Sequence, residues 1–211
     1  MQITKQVIND MEQRYRAAFI NSLGGFKSLI LVGTADSNGA SNLSVLNSLF
    51  HIGANPPLCG IIFRPDVADR HTLQNILDTG WYTINHVTES MYEAAHQTSA
   101  RYPKEVSEFD AVGFTQKWHQ EYKVPFVGES KVKWLMQFRE KHDLTINGTH
   151  LVIGEIIDVE IPDGVLQDDG FVDLESAGTI TCSGLDSYHK TEKLSRLSYA
   201  KMDTWPREIR L

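Results

Sequence analysis

Apolar positions along the chain switch between two periods, and each switch marks an element. Ile8, Met11, Tyr15 and Phe19 recur at steps of three and four with charged residues between them, which predicts one helix over Lys5 to Ile20. The stretch from Ser22 to Gly25 interrupts that period. Ser28–Thr34 (SLILVGT) is dense in apolar and β-branched residues and predicts a strand. Asn38-Gly39 is a strong hairpin signal, so Asn42–Phe50 (NLSVLNSLF) is expected to return beside it. Pro56-Pro57 punctuates the chain, and Leu58–Phe63 predicts a third, buried strand. A short helix over Leu73–Thr79 is closed by Gly80 as its C-terminal cap. Trp81–Val87 reads as a fourth strand and Glu89–Ser99 as a helix, and the chain from Ser99 to Gln120 reads as irregular. Two long strands follow, Lys131–Leu144 and His150–Ile161, joined at Asn147-Gly148. A weaker alternation covers Thr179–Ser183, and the C-terminal tail is basic and aromatic.

Strands in runs with hairpin turns, and helices few and peripheral, favour an antiparallel barrel over a doubly wound sheet. The expected fold is mainly β with peripheral helices. The expected organisation is one domain over residues 1–211, with an N-terminal helical extension (1–25), a core (26–161) and a C-terminal extension (162–211).

Composition narrows the function classes. The chain has 211 residues, 41% hydrophobic and 22% charged, as in an ordinary globular protein with a core. Its net charge of −7 disfavours general binding to nucleic acid or to a membrane surface. No secretory h-region opens the sequence, and no apolar run approaches the ~18 residues of a membrane span, so a cytoplasmic location is expected. Cys59 and Cys182 are too far apart in sequence to frame a disulfide scaffold or a zinc site, and Cys59 is expected in the core. There is no G-x-G-x-x-G after a strand, no P-loop, no nucleophile elbow and no paired-histidine metal motif, and no metal is expected.

One stretch carries chemistry that a loop does not need. Arg64 to Ile76 (RPDVADRHTLQNI) sets two arginines, a histidine and a threonine before a helix. A helix start has unpaired N–H groups and a partial positive charge. Thr72 is expected as the N-cap, with Arg70 and His71 adding donors and Arg64 able to fold back. A phosphate monoester would satisfy all of these together. The simpler alternative is that Thr72 only caps and that Asp66 and Asp69 neutralise the arginines. In the returning strand, Asn42, Ser44, Asn47 and Ser48 lie among Leu43, Val45 and other apolar residues. Such a strand suits a flat heterocycle with carbonyls and ring nitrogens, or it is the solvent face of an edge strand.

The order of these signals resembles the flavin reductase-like family with the FMN-binding split barrel. The residues that carry the resemblance are Asp36, Gly39 and Asn42, then Ser48-Leu49-Phe50, Asn55-Pro56-Pro57, Arg70-His71-Thr72 with Asn75-Ile76, and Thr79-Gly80-Trp81 with Asn85. Downstream, His96 to Pro103, Ser107-Glu108-Phe109, Val124 to Ser130, and Thr145 to Ile156 fit the same pattern. Many members have Ala-Pro where this chain has Ser44-Val45. The resemblance implies an antiparallel Greek-key split barrel, usually a homodimer with FMN near the interface. It implies that the strand Asn42, Leu43, Ser44, Val45, Asn47 and Ser48 lines the isoalloxazine. Arg70, His71 and Thr72 would hold the phosphate, to which the reading of the loop itself adds Arg64, while Asn85, His96, Thr98 and Ser99 would close the site.

The function so implied is an FMN-dependent oxidoreductase using NADH or NADPH and passing electrons to a small-molecule or protein acceptor. FMN is expected over FAD, because nothing in the sequence offers a crevice for an adenosine half. No general acid or base is required, so no catalytic side chain is named. The alternatives are a non-enzymatic flavin electron carrier and a binding module like the pyridoxamine-phosphate oxidases.

Overall fold

The predicted hairpins form where the turn chemistry places them. The computed structural model describes residues 1–65 and 71–209. In chain order the elements are α1 (Lys5–Asp10), α2 (Gln13–Leu23), β1 (Lys27–Ser28), β2 (Ile30–Ala35), β3 (Ser41–Leu46), β4 (Phe50–Ala54), β5 (Pro57–Phe63) and α3 (His71–Thr79). They continue with β6 (Trp81–His86), α4 (Tyr92–Gln97), α5 (Glu108–Val112), β7 (Gln116–Trp118), β8 (Pro125–Val127), β9 (Lys133–Leu144), β10 (Thr149–Glu160), β11 (Thr181–Ser183) and β12 (Ser187–His189). At the β2–β3 turn the Asp36 carboxylate accepts from the Asn38 and Ala40 amides, and Gly39 takes φ +85°.

Seven strands pair in the order β3-β2-β6-β9-β10-β5-β4, every pair antiparallel. The edge strands β3 and β4 are consecutive in the chain, with only residues 47–49 between them. Laid flat, seven strands at about 4.8 Å spacing would hold their edges about 29 Å apart. The chain from Leu46 to Phe50 reaches at most about 14 Å. The sheet must therefore curl until its edges approach, which makes a split barrel. Ser48 fastens the join: its Oγ donates to the Ile62 carbonyl (2.8 Å) and accepts from the Ile62 amide (3.2 Å).

Two apolar layers result. Inside the curl lie Ile30, Val32, Ile61, Tyr82, Ile84, Met136 and Val152, with Leu73 and Ile76 of α3 packed against them. Outside it, Leu29, Leu31 and Leu43 pack with Met91, Ala95, Phe109 and Cys182. Strand β2 is buried along its whole length, which is why SLILVGT lacks alternation. Each fully buried Leu or Ile contributes about 1.5–3 kcal/mol. Close packing demands glycine at Gly154, where a Cβ would stand 2.1 Å from the Tyr82 hydroxyl. Cys59 is a core residue, as expected, and burial pushes its thiol pKa up.

Several boundaries differ from the sequence expectation. The N-terminal helix divides, because Glu12 caps a new one: its carboxylate accepts from the Arg14 and Tyr15 amides at 2.8 and 3.0 Å. Those backbone donors hold the Glu12 pKa below its ordinary value. Neither helix buries a residue, so nothing forces them to continue as one. The strand expected over Asn42–Phe50 breaks after Leu46, where the chain passes from one edge to the other. The segment expected as irregular contains α5 and β7. Among the described residues no helix is long and apolar enough to cross a bilayer.

Candidate functional site

Helix α3 lies against β2 and β3 along a buried polar seam. The Thr72 hydroxyl donates to Asn42 Oδ1 (2.7 Å), the Thr34 hydroxyl donates to the same oxygen (3.3 Å), and the Asn75 amide donates to Thr34 Oγ1 (3.1 Å). The Asn42 amide donates to Glu108 Oε2 (2.7 Å), which also accepts the Leu43 amide at 2.9 Å. These five side chains are at most 8% exposed. Buried groups of this kind must be paired, and here they pair with one another.

The seam changes the reading of several residues. The helix already includes His71, so Thr72 sits inside the first turn; its hydroxyl docks α3 on β3 instead of capping. Asn42 is consumed by the same network. Asn85 is fully buried: its amide donates to the Leu31 carbonyl and to Thr83 Oγ1, and its Oδ1 accepts from the Val127 amide at 2.9 Å. It ties β6 to β8. Thr98 is also architectural, its Oγ accepting from the Val45 amide (3.0 Å) and donating to the Ala95 carbonyl. Leu43 is core, and Val45 packs beside it. The Asn47 amide donates to the Gly184 carbonyl at 3.1 Å, binding the β3 end to the C-terminal extension.

The groups left for a ligand are fewer. Ser44 is half-buried and its hydroxyl has no protein partner among the described residues. Arg64 is exposed and His71 is half-buried at the start of α3, whose first turn contains no acidic residue. Arg70 lies outside the described residues, as do Asp66 and Asp69. His96 and Ser99 are exposed at the end of α4, where His96 Nδ1 lies 2.5 Å from the Tyr188 hydroxyl.

Sequence reasoning assigned no role to Glu108. A buried carboxylate that accepts an amide from each of two neighbouring residues on a strand is an architectural group, and only its place in the acidic Ser107-Glu108-Phe109-Asp110 start of α5 hinted at it. At the opposite mouth of the curl, His86 is nearly buried edge-on to Trp134 (5.1 Å between centroids), with Nδ1 3.2 Å from the Thr179 hydroxyl. Burial lowers its pKa to about 4. The clefts of about 380 and 210 Å³ lie on that side, against the C-terminal extension. The larger is rimmed by the Lys190–Glu89 ion pair at 2.6 Å. Neither cleft includes a residue of the α3 seam.

The family profile described as "Flavin reductase like domain" matches residues 23–175. The chain belongs to this family. A candidate flavin reductase with a split barrel domain from Shewanella frigidimarina NCIMB 400 shares 53% identity with it and superposes with a TM-score of 0.92, covering 95% of this chain and 100% of that one. The flavoredoxin of Desulfovibrio vulgaris (Miyazaki F) shares the fold at 21% identity and a TM-score of 0.70, over 85% of this chain and 92% of its own. An uncharacterized protein of Aquifex aeolicus (strain VF5) is 26% identical over 149 residues, 68% of this chain and 74% of that protein. The split barrel and the flavin-related oxidoreductase class thus agree with the sequence reading.

Proposed function

We propose that the protein binds FMN at the amino end of α3 and acts as an oxidoreductase supplied by NADH or NADPH. The observation that carries this reading is the α3 start itself. It is docked on β3 through the Thr72–Asn42 hydrogen bond, begins with the half-buried His71, has no acid in the first turn, and follows the exposed Arg64 by seven positions in the sequence. That donor set fits a phosphate monoester. Arg70, adjacent in sequence to His71, adds a further cation to the set. The clefts on the far side fit less well, because the larger carries its own neutralising ion pair.

Bound FMN supplies two-electron redox chemistry, hydride uptake from the nicotinamide and electron delivery to a small-molecule or protein acceptor. The chain's own task is to bind and orient. His71 and Arg64 hold the phosphate end, while the half-buried Ser44 hydroxyl is the polar group of β3 free to meet the ring. FMN is favoured over FAD because the donor set suits one terminal phosphate.

Freshly purified protein is expected to carry flavin absorbance, to bleach on anaerobic addition of NADH or NADPH, and to recover in air. A colourless protein that does not take up FMN overturns the reading. A yellow protein inert to both nucleotides identifies a carrier reduced by a partner and overturns the enzyme half alone.

A further inference from the structure

The C-terminal extension meets the barrel at the end of β6. Thr88 and Thr179 form a single antiparallel bridge there, and the Ile180 amide donates to the Val87 carbonyl at 3.1 Å. The clefts of about 380 and 210 Å³ open along this junction, and Thr179, Ile180 and Thr191 line both.

The two clefts differ in character. The charged residues of the larger are two lysines and two glutamates, Lys131, Lys190, Glu89 and Glu175. Lys190 and Glu89 pair with each other at 2.6 Å. Lys131 and Glu175 do not pair: neither side chain has a hydrogen bond or an ion pair among the described residues, although Glu175 is half-buried. They are nonetheless neighbours. The Gly178 amide closes a turn by donating to the Glu175 carbonyl at 2.8 Å, and a Cβ on Gly178 would stand 3.9 Å from Lys131 Nζ. The ammonium therefore lies over the turn that carries the carboxylate without meeting it. The hydroxyls of Thr88 and Ser90, 3.2 Å apart, line the same cleft.

The smaller cleft is walled by Phe26, Leu29, Leu174 and Ile180. His86 reaches it as a neutral imidazole, because burial lowers its pKa to about 4, and Nδ1 lies 3.2 Å from the Thr179 hydroxyl. Lys27 also borders it, but its ammonium is committed to the Gly184 carbonyl at 2.9 Å.

An apolar pocket beside a polar one with an unpaired cation and an unpaired anion selects a ligand with matching parts. Two carboxylates disfavour a simple anion and two ammonium groups disfavour a simple cation. A dipolar head group satisfies both unpaired charges with charge-assisted hydrogen bonds. We propose that the adjoining clefts bind an α-amino acid with a large apolar side chain. Its carboxylate meets Lys131 and the neighbouring hydroxyls, its ammonium meets Glu175, and its side chain lies against Phe26, Leu29 and Leu174. The site shares no residue with the start of α3 and does not rest on the flavin reading.

Calorimetric titration with L-phenylalanine tests the proposal, beside three fragments of that ligand. Phenethylamine lacks the carboxylate, 3-phenylpropanoate lacks the ammonium, and glycine lacks the ring. Each fragment is expected to bind the natural chain at least about tenfold more weakly than phenylalanine. Lys131→Ala should weaken phenylalanine and 3-phenylpropanoate by about tenfold or more and leave phenethylamine unchanged. Glu175→Gln should weaken phenylalanine and phenethylamine and leave 3-phenylpropanoate unchanged. The fragment series uses the natural chain alone, so it decides the matter even if a variant is damaged. No heat at millimolar phenylalanine, or fragments that bind as tightly as the whole amino acid, overturns the proposal. So does a folded variant that weakens all the ligands alike. Displacement of phenylalanine by saturating FMN would make the clefts part of the flavin site and overturns it as well.

Discussion

Strands β3 and β4 follow one another in the chain and form the two edges of one sheet, yet they are treated in opposite ways. On β3 the outward amides of Leu43 and Val45 are taken by Glu108 and Thr98, and helices α4 and α5 cover the outer face. On β4, Phe50, His51, Ile52 and Ala54 are exposed, and no side chain closes the edge in the same way among the described residues. An unpaired edge invites association. The contrast teaches that the Asn42 side chain and the outward β3 amides are committed to closing that edge, through Glu108, Thr98 and Thr72, whereas β4 has no such closure among the described residues.

The comparison breaks most strongly at Glu108. Replacing it by Ala leaves the Asn42 amide and the Leu43 N–H buried without acceptors. Two charge-assisted hydrogen bonds at about 1.5–3 kcal/mol each set the expected loss at about 3–6 kcal/mol, read as a lower urea midpoint. Loss under about 1 kcal/mol would mean that β3 closes by other means.

The difference between the two edges also explains what could be read in advance. The hairpins, the buried strands and the α3 position were legible because turn residues and apolar runs act locally: Asn38-Gly39, Leu58–Phe63 and Gly80 needed no distant partner. The role of Asn42 was not legible, because the same amide can meet a flavin or a carboxylate 66 positions away. Thr72 misled for the same reason, its hydroxyl being committed to a strand 30 positions back. Asn85 resembled a ligand group and is a bolt between strands. The break between β3 and β4 was hidden because it is imposed by closure of the sheet and not by a Gly or Pro.

A second test separates loss of an edge from loss of the whole sheet. His86, on β6, is neutral in the folded protein because burial lowers its pKa to about 4, against an ordinary value of 6.5. The unfolded chain therefore binds more protons between those values. Stability should be full above about pH 6.5 and fall as pH drops to about 4, by on the order of 3 kcal/mol. In His86→Gln, denaturation midpoints measured across that range should lose most of this slope; an unchanged slope would assign it to other groups.

The smallest effect is expected on the open edge. Ile52→Thr should change the stability of the monomer by no more than about 0.5 kcal/mol, measured at a dilution where the protein is not associated. A larger loss would show that β4 is covered within its own chain and that the two edges are alike after all.

The central claim is that FMN is held by its phosphate at the start of α3, and equilibrium titration of the apoprotein with FMN and riboflavin tests it most directly. FMN is expected to bind the natural chain roughly ten- to a hundredfold more tightly than riboflavin, as one charge-assisted contact of about 1.5–3 kcal/mol requires. Arg70→Ala should remove much of that preference while leaving riboflavin almost unaffected. Equal affinities for the two ligands in the natural chain, or an equal loss of both in Arg70→Ala, would contradict the account.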